Sequence, residues 1–155
     1  MKYFIDQSGK IKDTAKDTVL CISNGQWSTV LIKAKTKRQL QEIFRRHGQI
    51  RNYVLFTFSA GLSLLIQNNS QATKIVIDKE YLGNEPVIKE IILQIIKGNK
   101  NIPVVEFGHI GKTSKAHFRA KLVVSKKEKP KVILSENILL KAIKKTEVGK
   151  RLKNA

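Results

Sequence analysis

An Asn24-Gly25 pair between two β-rich segments is the feature that most restricts how this chain can fold. Residues 18–23 and 27–34 on either side are rich in β-branched and apolar side chains. Asn-Gly favours the tight turn that joins two antiparallel strands. The sequence therefore predicts a β-hairpin, and a further apolar strand over residues 2–9 extends it to three antiparallel strands at the start of the chain.

Downstream of the hairpin, helices alternate with strands. Apolar residues three and four positions apart predict helices, whereas short continuous apolar segments predict strands. A strand at 53–56 is the alternative within the second helix, but that segment is long and apolar nearly all round, which favours a buried helix. The predicted helices cover residues 36–47, 51–71, 84–97, 114–124 and 135–145, and the predicted strands cover residues 72–78 and 102–107.

Particular side chains are expected to define these helices. Thr36 and Gln39 have the spacing of a capping box at the start of the first helix, whose exposed side is expected to carry four cations. Val87 and Ile138 are expected to face inward with the other apolar residues of their helices. The four cations are Lys37, Arg38, Arg45 and Arg46.

This order of elements predicts an α/β fold with a mixed sheet, in which three antiparallel strands precede parallel strands joined through helical crossovers. A chain of 155 residues, 41% of them hydrophobic, suits a single domain. We expect that domain to cover 1–145 and a basic tail, frayed from Lys144, to cover 146–155. The sequence contains neither a membrane-length apolar run nor a signal segment, so a cytoplasmic protein without membrane contact is predicted. Cys21 is expected to be a buried apolar side chain rather than a reactive thiol.

The formal net charge of +18 is the strongest global signal. It predicts a polyanionic partner, most simply DNA or RNA, and the sequence gives no sign of a small-molecule substrate. Two other origins of a lysine-rich composition are an A/T-biased genome and heat adaptation. Heat adaptation usually enriches Glu together with Lys, and acids are scarce here.

Carboxylates stand at the ends of two predicted strands. Asp6 lies near the end of the first strand and Asp78 at the end of the later one, with Glu80 two residues on. If the two strands are parallel neighbours, these carboxylates lie together and supply the oxygen ligands that Mg²⁺ or Mn²⁺ requires. The alternative is that Asp6 simply caps a turn with Gln7, Ser8 and Gly9.

The segment around Gly111 joins a strand to a helix, but it does not have the spacing of a nucleotide-binding phosphate loop, because Glu106 stands where the first glycine is required. The helix start with Lys112 and Lys115 is instead expected to contact a backbone phosphate. His117, in the first turns of that helix, is either structural, a metal ligand or a proton shuttle.

These features together resemble the ribonuclease-H-like superfamily, and within it an uncharacterised branch whose members open with an Ile-Asp-Glu-Ser-Gly strand. The resemblance lies in the opening Tyr3–Gly9 segment, the three-strand start, Ile75–Asp78 before a helix, and the final Gly111–His117 segment. It implies metal-dependent cleavage or strand transfer at nucleic-acid phosphodiesters, with Asp6 and Asp78 as ligands. Two departures are Gln7 in place of Glu, and Ala120-Lys121 where the last helix normally presents an acid. His117 would substitute for that acid.

The leading hypothesis is therefore a metal-dependent nuclease-like domain of ribonuclease-H-like architecture. Asp6, Asp78, and Glu80 or His117 would form the catalytic site and bind Mg²⁺ or Mn²⁺. The alternative is a basic nucleic-acid-binding protein without enzymatic activity, ribosome-associated or architectural, and a basic structural protein is a third possibility. The residues expected to hold phosphates are Lys112, Lys115, Arg119, Lys121, Arg45 and Arg46.

Overall fold

The computed structural model describes residues 2–111 and 114–152, in which one mixed sheet is flanked by helices. The strands are β1 (Lys2–Ser8), β2 (Thr18–Ser23), β3 (Trp27–Ile32), β4 (Lys74–Asp78), β5 (Val104–Gly108) and β6 (Val132–Ile133). The helices are α1 (Ala34–Arg46), α2 (Tyr53–Gln67), α3 (Glu85–Ile96), α4 (Lys115–Val124) and α5 (Glu136–Ile143). Short 3₁₀ turns occur at Ile50–Asn52 and Gly149–Arg151.

The strand order in the sheet is β5-β4-β1-β2-β3-β6. Strands β1, β2 and β3 are antiparallel neighbours, whereas β4 is parallel to β1 and β5 is parallel to β4. The α/β class, the mixed sheet and the hairpin at Asn24-Gly25 are thereby confirmed. The edge strand β6, parallel to β3, was not predicted because a two-residue strand has no periodicity to detect.

Alternating side chains give the sheet two different apolar faces. One face, with Ile5 and Leu20, packs in a large core with α1, α2, α3 and α5. The other face is covered by α4, whose Ala116 and Ala120 pack on a smaller cluster containing Cys21. Burial raises the pKa of Cys21 to about 12, so the thiol stays protonated at neutral pH. The face covered by α4, which we call the α4 face, is the one that carries the polar site described below.

Helix α1 differs from the prediction at its start. It begins at Ala34, so Thr36 lies inside the first turn and does not cap the helix. The cap comes from a distant residue, because Asp17 Oδ1 accepts a hydrogen bond from the Ala34 N–H at 2.8 Å. The expectation that Lys37 is exposed is also wrong. Lys37 is fully buried, and its ammonium donates to the Lys10 and Asp13 carbonyls and to Thr18 Oγ1 at 3.1, 2.7 and 2.9 Å.

Most other elements agree with the prediction, including the helical interpretation of residues 53–67. The inward orientation expected of Val87 and Ile138 is wrong, since these side chains are 46% and 44% exposed. Each is followed by a buried residue, and consecutive side chains on a helix point about 100° apart. The expectation of a frayed tail is wrong as far as Leu152, because Leu152 and Thr146 are buried. Among the described residues, no helix combines the length and apolarity needed to cross a bilayer.

Candidate metal centre

Strands β1 and β4 bring Asp6 and Asp78 together. The two strands are parallel and pair Ile5 with Ile77, so the next row places Asp6 beside Asp78. Ile5 and Ile77 belong to the large core, and alternation along a strand therefore turns both aspartates to the α4 face. The structure thus brings Asp6 and Asp78 together at the ends of the two strands, as the sequence predicted.

Glu80 completes a cluster of three carboxylates. One oxygen from each of Asp6, Asp78 and Glu80 lies within 4.8 Å of the other two. Strand β4 ends at Asp78, but the Lys79 N–H still donates to the Gly108 carbonyl at 3.1 Å. This bond keeps the chain beside β5 for one more residue, which leaves Glu80 close enough to reach the aspartates.

Backbone donors and a histidine orient the aspartates. Asp6 Oδ1 accepts from the Gln7 N–H at 2.8 Å, and Asp6 Oδ2 lies 2.9 Å from His117 Nδ1. Asp78 Oδ1 accepts from the Ile110 N–H at 2.9 Å. Because Asp6 is only 4% exposed, these bonds fix its carboxylate in one orientation. Asp6 is thus a buried strand residue rather than the cap of a surface turn.

The cluster is electrostatically unfavourable by itself. Burial raises the pKa of Asp6, with Asp78 adding to the rise, while the Gln7 N–H and His117 oppose it. Burial also raises the pKa of Glu80, opposed by a hydrogen bond from the Gln7 side chain and reinforced by the two aspartates. A bound cation would offset both the desolvation and the repulsion among the ionised carboxylates.

The donor set fits a hard divalent cation. All three groups are carboxylates, the ligands that Mg²⁺, Mn²⁺ and Ca²⁺ prefer. Ligands at about 2.1 Å from Mg²⁺ are at most about 4.2 Å apart, so atoms spread over as much as 4.8 Å would move inward by some tenths of an ångström. His117 is not part of the three-carboxylate cluster and contacts it through Asp6.

The predicted phosphate-binding residues fall on two surfaces. Lys115 and Lys121 are exposed on α4, and Arg119, partly buried on the same helix, lies 3.4 Å from Glu128. Arg45 and Arg46 are on α1, on the opposite side of the sheet, where both pair with Glu42. Only the α4 residues are therefore on the same face as the carboxylates. Lys112 lies outside the described residues.

Two contacts at the site were not predicted from the sequence. The Ile110 N–H that holds Asp78 is a backbone group in a loop, which no sequence pattern reveals. Trp27 stacks against the Arg119 guanidinium at 3.5 Å from the ring centre. The pair is 92 residues apart in sequence, and only the packing of α4 on the sheet brings it together.

Comparisons of the chain with protein-family models, curated proteins and solved structures gave no significant match.

Proposed function

We propose that this domain is a divalent-metal-dependent phosphodiester hydrolase that acts on nucleic acid. The observation that carries the proposal is the cluster of Asp6, Asp78 and Glu80 at the carboxyl ends of two parallel central strands. Three converging carboxylates, two of them with a raised pKa, are costly to maintain unless a cation binds there. The net charge of +18 suits a polyanionic substrate.

The architecture supports a ribonuclease-H-like relationship. A central first strand lies between an antiparallel hairpin and parallel later strands, and a late helix packs beside the carboxylates. This is the arrangement that the resemblance in sequence implies. The main departure is that α4 has no acidic residue. The α4 residue that contacts Asp6 is His117 instead.

Asp6, Asp78 and Glu80 would hold Mg²⁺ or Mn²⁺, which when bound lowers the pKa of a water molecule and stabilises a leaving oxygen. The protein's contribution is to fix the carboxylates before the substrate arrives. The Gln7 and Ile110 N–H groups hold the aspartates, and His117 restrains Asp6 from the other side. Lys115, exposed at the start of α4, is placed to attract the phosphate backbone towards the cluster.

Cleavage assays test this function. End-labelled branched DNA, RNA–DNA hybrid and single-stranded substrates are incubated with Mg²⁺, with Mn²⁺ or with EDTA. We expect metal-dependent cleavage of at least one substrate, reduced roughly a hundredfold or more by Asp6→Asn, Asp78→Asn and Glu80→Gln. Glu90→Gln, the same change at an exposed position on α3, is the control and should leave the rate unchanged. Cleavage that persists in Asp6→Asn would remove the proposed site.

A second candidate is binding of nucleic acid without cleavage. It is favoured by α4, which contains cations but neither Asp nor Glu. This candidate predicts binding that weakens steeply with salt, by about a thousandfold between about 50 and 200 mM for about six phosphate contacts, and no product in any metal. The cleavage assay therefore separates the two candidates, whereas binding alone does not.

A further inference from the structure

A groove with a volume of about 410 Å³ lies on the α4 face next to the carboxylate cluster. Phe4 lines the groove and precedes Asp6 by two residues on the same face of β1. The β2–β3 turn at Asn24-Gly25 forms one side, and Ile110 with Lys115 forms another. Ile110 is also the residue whose N–H binds Asp78, so the groove and the cluster share a wall.

Phe4, which lines the groove, stands in one row of the sheet with a second exposed aromatic residue, Trp27, which lies beyond the groove lining. The register pairs Phe4 with Ser23 and Ser23 with Trp27, which places the small Ser23 between them. Phe4 is 37% exposed and Trp27 is 43% exposed. Neighbouring strands are about 4.8 Å apart, so the two aromatic residues are separated by about 10 Å across the sheet.

Cations accompany both rings. The Lys2 ammonium lies 5.4 Å from the centre of the Phe4 ring, and the Arg119 guanidinium lies 3.5 Å from the centre of the Trp27 ring. Lys115 is exposed on the wall of the groove. Exposed rings combined with cations are what proteins use to bind unpaired nucleic-acid strands, since every base can stack and every linkage carries a negative charge.

We infer that this groove binds an unpaired nucleotide of a nucleic-acid strand, with the base stacked on Phe4 and the adjoining phosphate directed towards Asp6 and Asp78. The inference rests on the proposed function and specifies its substrate as a strand with unpaired bases. A volume of about 410 Å³ is in the range of small-ligand pockets. The faces of bases inside a duplex are covered by their neighbours, so a duplex offers Phe4 no surface on which to stack.

Trp27 is the only tryptophan of the chain and stands in the same row as Phe4, so it serves as a fluorescent reporter beside the groove. Its fluorescence is recorded in EDTA, so that no cleavage occurs, while a single-stranded homopolymer oligonucleotide is added. A duplex of the same length and inorganic polyphosphate serve as the comparison ligands. We expect the single strand to change the emission at lower concentration than the duplex, and polyphosphate, which has charge but no bases, to leave it nearly unchanged. Equal responses to the single strand and to polyphosphate would overturn the inference.

Substitutions at Phe4 test the stacking. Phe4→Leu keeps an apolar side chain in the sheet but removes the ring, and we expect it to weaken single-strand binding roughly tenfold or more. Ile138→Ala, at an exposed apolar position on α5 across the sheet, is the control and should bind like the wild type. Unchanged affinity in a folded Phe4→Leu variant would contradict the inference.

The two proposals fail in different ways. Binding that depends on Phe4, together with no cleavage in any metal, removes the hydrolase and leaves the groove assignment intact. Cleavage that needs Asp6 but is unaffected by Phe4→Leu keeps the hydrolase and removes the groove assignment.

Discussion

His117 Nδ1 lies 2.9 Å from Asp6 Oδ2, which joins two residues that are 111 positions apart in sequence. Ser114 Oγ caps α4 by accepting the His117 N–H at 3.0 Å, so the backbone that carries the imidazole is itself held in place. An ionised carboxylate can only accept, and Nδ1 therefore carries the proton whenever Asp6 is charged. Helix α4 thus contributes to the site by orienting Asp6 rather than by adding a fourth carboxylate.

Removing this contact should weaken the site without unfolding the protein. We expect His117→Ala to reduce metal-dependent cleavage by about 10- to 100-fold, the usual effect of losing a group that orients a metal ligand. His117→Asn, which retains a side-chain N–H donor, should recover part of the loss, and circular dichroism checks that both variants are folded. A His117→Ala variant with wild-type activity would show that the contact plays no part in the reaction.

The cluster should make stability depend on pH in a defined direction. The pKa values of Asp6 and Glu80 are raised above their unfolded values, mainly by burial. Between the unfolded and folded pKa values, the folded state holds more protons than the unfolded state, so the free energy of unfolding falls as the pH rises through that interval. In EDTA, urea denaturation from pH 4 upward should show this loss relative to an Asp6→Asn, Glu80→Gln double variant. A wild-type free energy of unfolding that stays constant or rises with pH relative to that of the double variant would contradict the raised pKa values.

Repulsion among the three carboxylates predicts that the metal-free protein is less stable than variants in which one of these charges is removed. At neutral pH in EDTA, Glu80→Gln should raise the free energy of unfolding by about 1 kcal/mol, since it removes one of three close charges. The control Glu90→Gln should change it little. Mn²⁺ should stabilise the wild type and have a smaller effect on Glu80→Gln.

Lys37 is expected to be a major contributor to stability. Its buried ammonium connects α1 to the loop before β2 through two hydrogen bonds and to Thr18, the first residue of β2, through a third. Lys37→Met should lower the free energy of unfolding by roughly 2–4 kcal/mol, because two partly buried carbonyls and the buried Thr18 hydroxyl lose their donor. Lys35→Met, two residues away and exposed, is the matched control. Urea denaturation of both variants makes the comparison, and equal stabilities would contradict the assigned role.

The segment after α5 offers a similar test of packing. A Cβ on Gly149 would overlap the Ile143 carbonyl, whereas a Cβ on Gly98 would meet nothing within 4 Å. Gly149→Ala should therefore cost about 1–3 kcal/mol, and Gly98→Ala should be close to neutral. A neutral Gly149→Ala, measured by thermal denaturation, would show that this segment does not pack as described.

Local chemistry predicted much of the fold. The Asn24-Gly25 turn and the continuous apolar strands act over short distances, so their elements are where the sequence indicated. The errors concern residues whose environment depends on distant partners. Lys37 is buried because three oxygens from another part of the chain bind its ammonium. Thr36 does not cap α1 because the side chain of Asp17 caps that helix instead.

The candidate site was predictable only where it depends on the order of the strands. Asp6 and Asp78 follow from strand order, because neighbouring parallel strands end at one edge of the sheet. The contact between His117 and Asp6 depends on the path of the loop before α4, and the row of Phe4, Ser23 and Trp27 depends on strand register. Neither relationship has a signature within a single stretch of sequence.

Paramagnetic broadening by Mn²⁺ tests whether a divalent metal binds at Asp6, Asp78 and Glu80. Substoichiometric Mn²⁺ is added to ¹⁵N-labelled protein, and the loss of amide signals is mapped along the chain. We expect signals around Asp6, Asp78 and Glu80, including the Ile110 N–H, to be broadened first in the wild type and much less in Asp78→Asn. Broadening that is absent, that is centred elsewhere, or that is unchanged in Asp78→Asn would contradict a metal centre at these carboxylates.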